Sequence, residues 1–114
     1  MAKTATIPNG QSQSNTIQVA EGVRIVGFVM PAAWTAAAIT ILGSVDNTNF
    51  FPVHNGAGTE ISFTVAASRH VDLTGTRLNS LRFFKLRSGN TATPVNQGAA
   101  RDIIILEESL NETP

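Results

Sequence analysis

The chain has 114 residues, of which 42% are hydrophobic and 14% are charged, and its formal net charge at pH 7 is zero. This length suits one domain, which is expected to bury about two-thirds of the surface of its unfolded chain. The absence of cysteine excludes disulfides and thiolate metal sites. The neutral charge and the lack of tyrosine disfavour nucleic-acid binding, which needs a basic face with stacking aromatics.

The N-terminal sequence MAKTATIPNG lacks the apolar core of a signal peptide, and no apolar run approaches the roughly 20 residues that span a bilayer. We therefore expect a protein that is made in the cytoplasm and does not bind membranes. The charged fraction lies below the value of about a quarter that is typical of soluble domains. Such a surface fits a protein packed against neighbours, and it equally fits an ordinary sandwich with Thr and Asn in surface and turn positions.

Residues 1–13 form a polar first segment. Apart from Met1, Ile7 is its only large apolar residue, and Pro8 begins a turn. We predict that this segment is an N-terminal arm outside the core, disordered unless a partner orders it. Lys3, Thr4, Ile7 and Pro8 are therefore candidate partner-binding residues.

The strand predicted over residues 23–30 is apolar on both faces. One face carries Ile25 and Val29, and the other carries Val26, Phe28 and Met30. The second face is a candidate oligomer interface. A two-fold dimer is the simplest closed arrangement, and a trimer is the alternative.

Trp34 lies in the loop that follows this strand. A lone tryptophan at such a position either plugs the open end of a sandwich core or anchors a partner, since tryptophan is favoured at binding hot spots. The sequence leaves both interpretations open, and Trp34 is kept as a candidate partner-binding residue.

Residues 39–54 predict a hairpin whose turn contains Asp46, Asn47 and Asn49. These side chains resemble part of a calcium loop, but the glycine and the distal glutamate of an EF-hand are missing. They are therefore interpreted as turn residues. His54 and His70 each lie at a strand end beside a turn, so no catalytic and no metal-binding residues are predicted.

The second half of the chain begins with an alternation typical of a half-buried strand over residues 61–65, with Phe63 inward. Residues 81–87 predict a strand with Phe84 and Leu86 in the core and Lys85 and Arg87 in solvent. Residues 103–106 are fully apolar and predict a central strand. The core predicted between two sheets comprises Ile25, Ile41, Phe63, Val65, Phe84, Leu86 and Ile105.

Between the last two strands, residues 88–100 form a Gly-, Asn-, Thr- and Pro-rich loop without periodicity. Loops of this length are often functional or flexible, so candidate partner-binding residues are placed here. They are Asn90, Thr91, Pro94 and Asn96.

Taken together, about eight short strands and no helical period predict an all-β fold, an antiparallel β-sandwich or jelly roll. The predicted organisation is an arm over residues 1–13, a jelly-roll domain over 14–107 and an acidic, frayed tail over 108–114. No enzymatic activity and no cofactor are expected.

Two resemblances accompany this prediction. The segments ITILGSVDNTNFFPV and LRFFKLRSGNTATPVNQGAARDIIIL are similar to the hairpin and final strands of galactose-binding-like jelly rolls. The segments MPAAWTAAAITILGSVDNTNF, AASRHVDL and FFKLRSGNTATPVNQGAARDIIIL more closely resemble small virion proteins of tailed bacteriophages, some of which are jelly-roll cement or staple proteins on the capsid exterior.

The second resemblance covers roughly residues 17–106 and implies a structural virion protein on the outside of the head, with the major capsid protein as its partner. A tail, baseplate or head-fibre component is the alternative within this class. A carbohydrate-binding jelly-roll module is the alternative from another class. Such a module needs exposed aromatic rings, and the chain offers only Trp34 and six phenylalanines.

Overall fold

The computed structural model describes residues 2–73, 78 and 80–109. Within these residues the chain forms strands and no helix, so none of it could cross a membrane as a helix. The strands are β1 Ala2–Ile7, β2 Ile17–Gln18, β3 Val23–Val29, β4 Ile39–Ser44, β5 Phe51–Pro52, β6 Ser62–Phe63, β7 His70–Asp72, β8 Phe83–Ser88 and β9 Arg101–Ser109.

The strands form two antiparallel sheets that pack face to face. Sheet A has the order β1-β9-β3-β7, and sheet B has the order β2-β8-β4-β5 with β6 also paired to β4. Outside the β4-β5-β6 segment, each strand is followed by a strand of the other sheet, which is the connectivity of a double-sheet jelly roll. The predicted all-β sandwich is confirmed, and so is the central position of the apolar strand β9.

The core lies between the two sheets and consists of their inward-facing apolar side chains. Phe28 and Phe63 meet edge to face there, with ring centroids 5.4 Å apart. The predicted core residues Ile25, Ile41, Phe63, Phe84, Leu86 and Ile105 are all buried, whereas Val65 is half-buried against this core.

The first segment is a strand of the sandwich. β1 pairs with β9 along its whole length, and Ala5 and Ile7 are 0% exposed. The prediction of an arm outside the core is therefore wrong for residues 2–7. The sequence gives little sign of this strand, because its inward face carries Lys3, the small Ala5 and a single large apolar residue, while its threonines face outward. Residues 2–7 join the sheet by pairing with the edge of the buried strand β9.

Strand β3 contains an irregularity that decides which side chains are buried. The register with β9 shifts between Ile25 and Gly27, so Val26 interrupts the alternation and the side chains beyond it exchange faces. Ile25, Phe28 and Met30 are consequently all buried in one core, at 2%, 0% and 4% exposure. Phe28 and Met30 are thus wrong as oligomer-interface residues, and the dimer and trimer predictions lose the surface on which they were based.

The acidic end of the chain also differs from its prediction. Strand β9 continues to Ser109. Within it, the Glu108 carboxylate accepts a hydrogen bond from Arg24 of β3 at 2.8 Å. Glu107 faces inward with its side chain 2% exposed, 3.6 Å from the Lys3 ammonium. A frayed tail from residue 108 is therefore wrong for residues 108–109, and residues 110–114 lie outside the described residues.

Candidate functional site

Four loops lie at one end of the sandwich. One of them, residues 64–69 between β6 and β7, carries the exposed Arg69, and its Ser68 amide donates to the Pro31 carbonyl at 2.8 Å. The other three loops are uncharged. Residues 8–16 join β1 to β2, residues 30–38 join β3 to β4, and residues 89–100 join β8 to β9. None of these residues is charged, although the chain contains eight basic and eight acidic residues. We call the surface formed by these three loops the neutral loop end.

Backbone hydrogen bonds hold the first and third loops together. The amide of Gly10 donates to the Gln97 carbonyl at 2.9 Å, and the amide of Gln97 donates to the Gln11 carbonyl at 2.9 Å. The amide of Ser88 donates to the Ser12 carbonyl at 2.7 Å. These bonds connect the two loops in the manner of paired strands, and we call them the backbone ladder.

The side chain of Gln97 connects this ladder to the second loop. It is 1% exposed, and its Oε1 accepts from the Thr35 amide at 2.8 Å and from Arg101 Nε at 3.1 Å. Its Nε2 donates to the Thr35 carbonyl at 3.1 Å and to Ser88 Oγ at 2.7 Å. Both amide protons and both acceptor positions of the carboxamide are thus used. Gln97 joins all three loops into one rigid surface.

The sequence gives no sign of the role of Gln97. A glutamine in a Gly/Asn/Thr-rich loop looks like any solvent-exposed polar residue, and glutamine is seldom fully buried. Its burial depends on Thr35, which is 62 positions away in the chain. No local pattern could have indicated this contact.

The third loop begins as a small hairpin and is not irregular throughout. Gly89 bridges to Pro94, and the Asn90 amide donates to the Thr93 carbonyl at 3.2 Å. Gly89 has a φ of 88°, and a β-carbon at this position would collide with the backbone at Thr93. Glycine is therefore required here, and residues 90–93 form the exposed tip of the hairpin.

Several predicted partner-binding residues come together at the neutral loop end. Pro8, Asn90, Pro94 and Asn96 are exposed there. Trp34 is half-buried, packs on the core and donates from Nε1 to the Ala37 carbonyl at 3.1 Å. The plug interpretation of the tryptophan is therefore the one that its environment supports.

The remaining candidates of the first segment lie elsewhere. Ile7 is 0% exposed and is therefore wrong as a partner contact. Lys3 faces inward near the start of β1, away from the neutral loop end, and its ammonium donates to the Gln18 carbonyl. Thr4 is exposed on the outer face of sheet A.

Thr91 belongs to a partly buried ionic cluster on the outer side of sheet B. Arg87 is 6% exposed and donates from Nη2 to Glu60 at 2.6 Å and to Thr91 Oγ1 at 2.8 Å. The Thr91 hydroxyl donates in turn to Glu60 at 2.8 Å. The prediction that Arg87 lies in solvent is wrong. Arg87 does point away from the core, as the alternation along the strand predicts, but Glu60 and the third loop cover the outer face of sheet B at this position.

The Glu60 carboxylate makes folding stability depend on pH. Burial raises the pKa of Glu60, but hydrogen bonds from Thr91 and the charge of Arg87 outweigh this effect and leave the pKa below its ordinary value of 4.5. A carboxyl group with a lowered folded-state pKa stabilises the fold above its unfolded pKa, and this contribution is lost as the pH falls through the folded-state pKa.

We expect Glu60→Gln to lower the free energy of unfolding by about 1–2 kcal/mol at neutral pH, because a charge-assisted bond to a buried guanidinium is lost. The difference from the parent protein should shrink as the pH is lowered from about 5 to about 3. Urea denaturation across this range measures it. Glu21→Gln, at an exposed turn, is the control. A difference that stays constant down to the acidic limit would contradict this role of Glu60.

The remaining titratable candidates are His54, His70 and Asp46. His54 and His70 are exposed, and no group of three or more His, Cys, Asp or Glu in the described part of the chain could hold a metal ion. Asp46 forms the predicted turn, accepting from the amides of Asn49 at 2.8 Å and Thr48 at 2.9 Å. These bonds hold the pKa of Asp46 well below its usual range.

The neutral loop end is thus an extended surface held together by backbone and side-chain hydrogen bonds. Both family resemblances rest on turn and core segments of the sequence and remain predictions, because comparisons with protein-family models, curated proteins and solved structures found no match to this chain.

Proposed function

We propose that this protein is a capsid decoration protein of a tailed bacteriophage, which binds the outside of the major capsid lattice through its neutral loop end and stabilises the head. The sequence resemblance supplies the class of protein. The observation that carries the proposal is the joining of three uncharged loops into one surface by Gln97.

The three loops themselves are uncharged, although Arg69 and Arg101 adjoin them, and uncharged loops favour a protein partner. Burying an unpaired charge at a contact costs several kcal/mol, and charged residues are depleted at the centres of protein interfaces. The loops offer backbone groups, hydroxyls and amides, which hydrogen-bond a partner at a smaller desolvation cost. Attachment through this surface should therefore depend little on ionic strength, in contrast to binding steered by charge.

The loops are also ordered before binding. Fixing a flexible segment costs roughly 1–2 kcal/mol per residue in backbone entropy. The ladder between Gly10, Gln11 and Gln97 removes most of this cost, because the backbone is already held in the free protein. A rigid surface can thus give useful attachment with a modest contact, repeated over many lattice sites.

The proposal is tested by placing a charge on the docking surface. Ala33 is exposed in the second loop, and Ala20 is exposed in the turn between β2 and β3 at the opposite end of the sandwich. We expect Ala33→Arg to weaken attachment by about tenfold or more, since a cation would be buried without a partner. Ala20→Arg, the matched control, should attach like the parent.

Attachment is measured by co-sedimentation with undecorated heads of the phage whose genome encodes the chain, and is located by electron cryomicroscopy. Between about 50 and 500 mM NaCl the parent affinity should change less than about threefold. Full attachment of Ala33→Arg, a steep loss of affinity with salt, or binding to tails instead of heads would each refute the proposal.

A further inference from the structure

A groove opens beside β5, at the end of the sandwich opposite the neutral loop end. Its volume is about 450 Å³. Phe51 is 66% exposed and Val45 is 82% exposed, which makes them the most exposed large hydrophobic side chains among the described residues. We call this feature the Phe51 groove. Its lining includes Ser44, Val45, Asp46, Asn49, Phe51 and His54.

The polar side chains of the groove present hydrogen-bond acceptors beside the aromatic ring. Asp46 Oδ2 accepts a bond from Asn49 Nδ2 at 2.9 Å and keeps acceptor capacity, as does Asn49 Oδ1. His54 Nδ1 lies 3.0 Å from the Pro52 carbonyl oxygen, which can only accept. This contact requires a proton on Nδ1, and in the tautomer with its proton there Nε2 is a further acceptor.

We propose that the Phe51 groove binds a neutral saccharide. The C–H face of a sugar ring would stack on the exposed ring of Phe51, and its hydroxyls would donate to Asp46, Asn49 and His54. An exposed aromatic face next to several acceptors matches a ligand that is apolar on one side and rich in hydroxyl donors at its rim. The described lining holds no lysine or arginine, which disfavours an anionic ligand.

Two other occupants fit the groove less well. A peptide that added a strand to β5 would need donors along the edge, but Pro52 has no N–H group. A docked protein would need roughly 1,000 Å² of buried surface, whereas exposed apolar side chains are confined here to Phe51 and Val45. A small polyhydroxyl ligand meets neither difficulty.

The test uses the full chain and four neutral probes: maltose, lactose, cellobiose and N,N′-diacetylchitobiose. Saturation-transfer NMR should detect contact with at least one of them, and titration of the labelled protein should shift the amide signals of Asn49 and Phe51. We expect Phe51→Ala to weaken binding by about tenfold or more and Phe51→Trp to retain it. Ile104→Ala, which removes an exposed apolar side chain on sheet A, is the control.

The proposal is overturned if none of the probes shows transfer, or if Phe51→Ala binds as tightly as the parent. It is also overturned if Phe51→Ala changes the sedimentation of the free protein from dimer to monomer, since a second copy would then occupy the groove. Phe51→Ala should attach to heads like the parent, so the outcome is separable from that of the docking proposal.

Discussion

Deleting residues 1–13 is expected to unfold the domain. The deletion removes β1, which pairs with β9 over six residues, and exposes the edge of a central strand. Burial of Ile7 alone stabilises the fold by about 1.5–3 kcal/mol. The loss of Ala5 and of the Gln11 and Ser12 backbone bonds adds to this. The total should exceed about 4 kcal/mol, a large part of the 5–15 kcal/mol typical of a domain.

Circular dichroism and thermal melting of the deleted protein measure this effect, and two point variants quantify it if the deletion does not fold. Ile7→Ala should cost about 2–4 kcal/mol because the side chain is fully buried. Thr4→Ala, on the exposed outer face of the same strand, should stay within about 0.5 kcal/mol of the parent. A deleted protein that melts within a few degrees of the parent would show that β1 adds nothing to the fold.

Replacing Gln97 is expected to have the second largest effect. Gln97→Met keeps the volume of the side chain but leaves the Thr35 amide, the Thr35 carbonyl and the Ser88 hydroxyl without their partner. A buried polar group without a partner costs about 1–3 kcal/mol, so we expect a total loss of about 3 kcal/mol. Urea denaturation of both proteins provides the measurement.

The neighbouring Asn96→Ala serves as the control, because Asn96 is exposed and should change stability by less than about 0.5 kcal/mol. Hydrogen exchange at the Gly10 and Thr35 amides should speed up in Gln97→Met more than in the core strands, since the loops lose their common anchor. Equal protection of these amides in both proteins would show that the backbone ladder alone holds the neutral loop end.

Both predictions concern features that the sequence did not reveal, and the causes differ. β1 has little apolar area of its own, so its weak alternation was interpreted as that of a polar arm. Gln97 lies in a loop whose partners are distant in the chain. In each case the stabilising partner is absent from any local window of sequence, and local patterns are what sequence interpretation uses.

The faces of strand β3 were predicted wrongly for the same reason, although the strand itself was predicted correctly. The run of β-branched and aromatic residues over 23–30 predicted the strand, but strict alternation placed Phe28 on the face opposite Ile25. The register shift beside Val26 brings both into one core. The insertion is set by pairing with β9, nearly 80 residues further along the chain, and a bulge carries no reliable local pattern.

By itself, the sequence determined the all-β class, the hairpin turn at Asp46 and the core positions Ile41, Phe63, Phe84, Leu86 and Ile105, because alternation and turn chemistry act between near neighbours. Only the tertiary structure decided that residues 2–7 enter sheet A, that Arg87 is buried with Glu60, and that three uncharged loops meet around Gln97. These outcomes depend on burial and hydrogen bonding between segments far apart in the chain, which the two-sheet packing alone brings into contact.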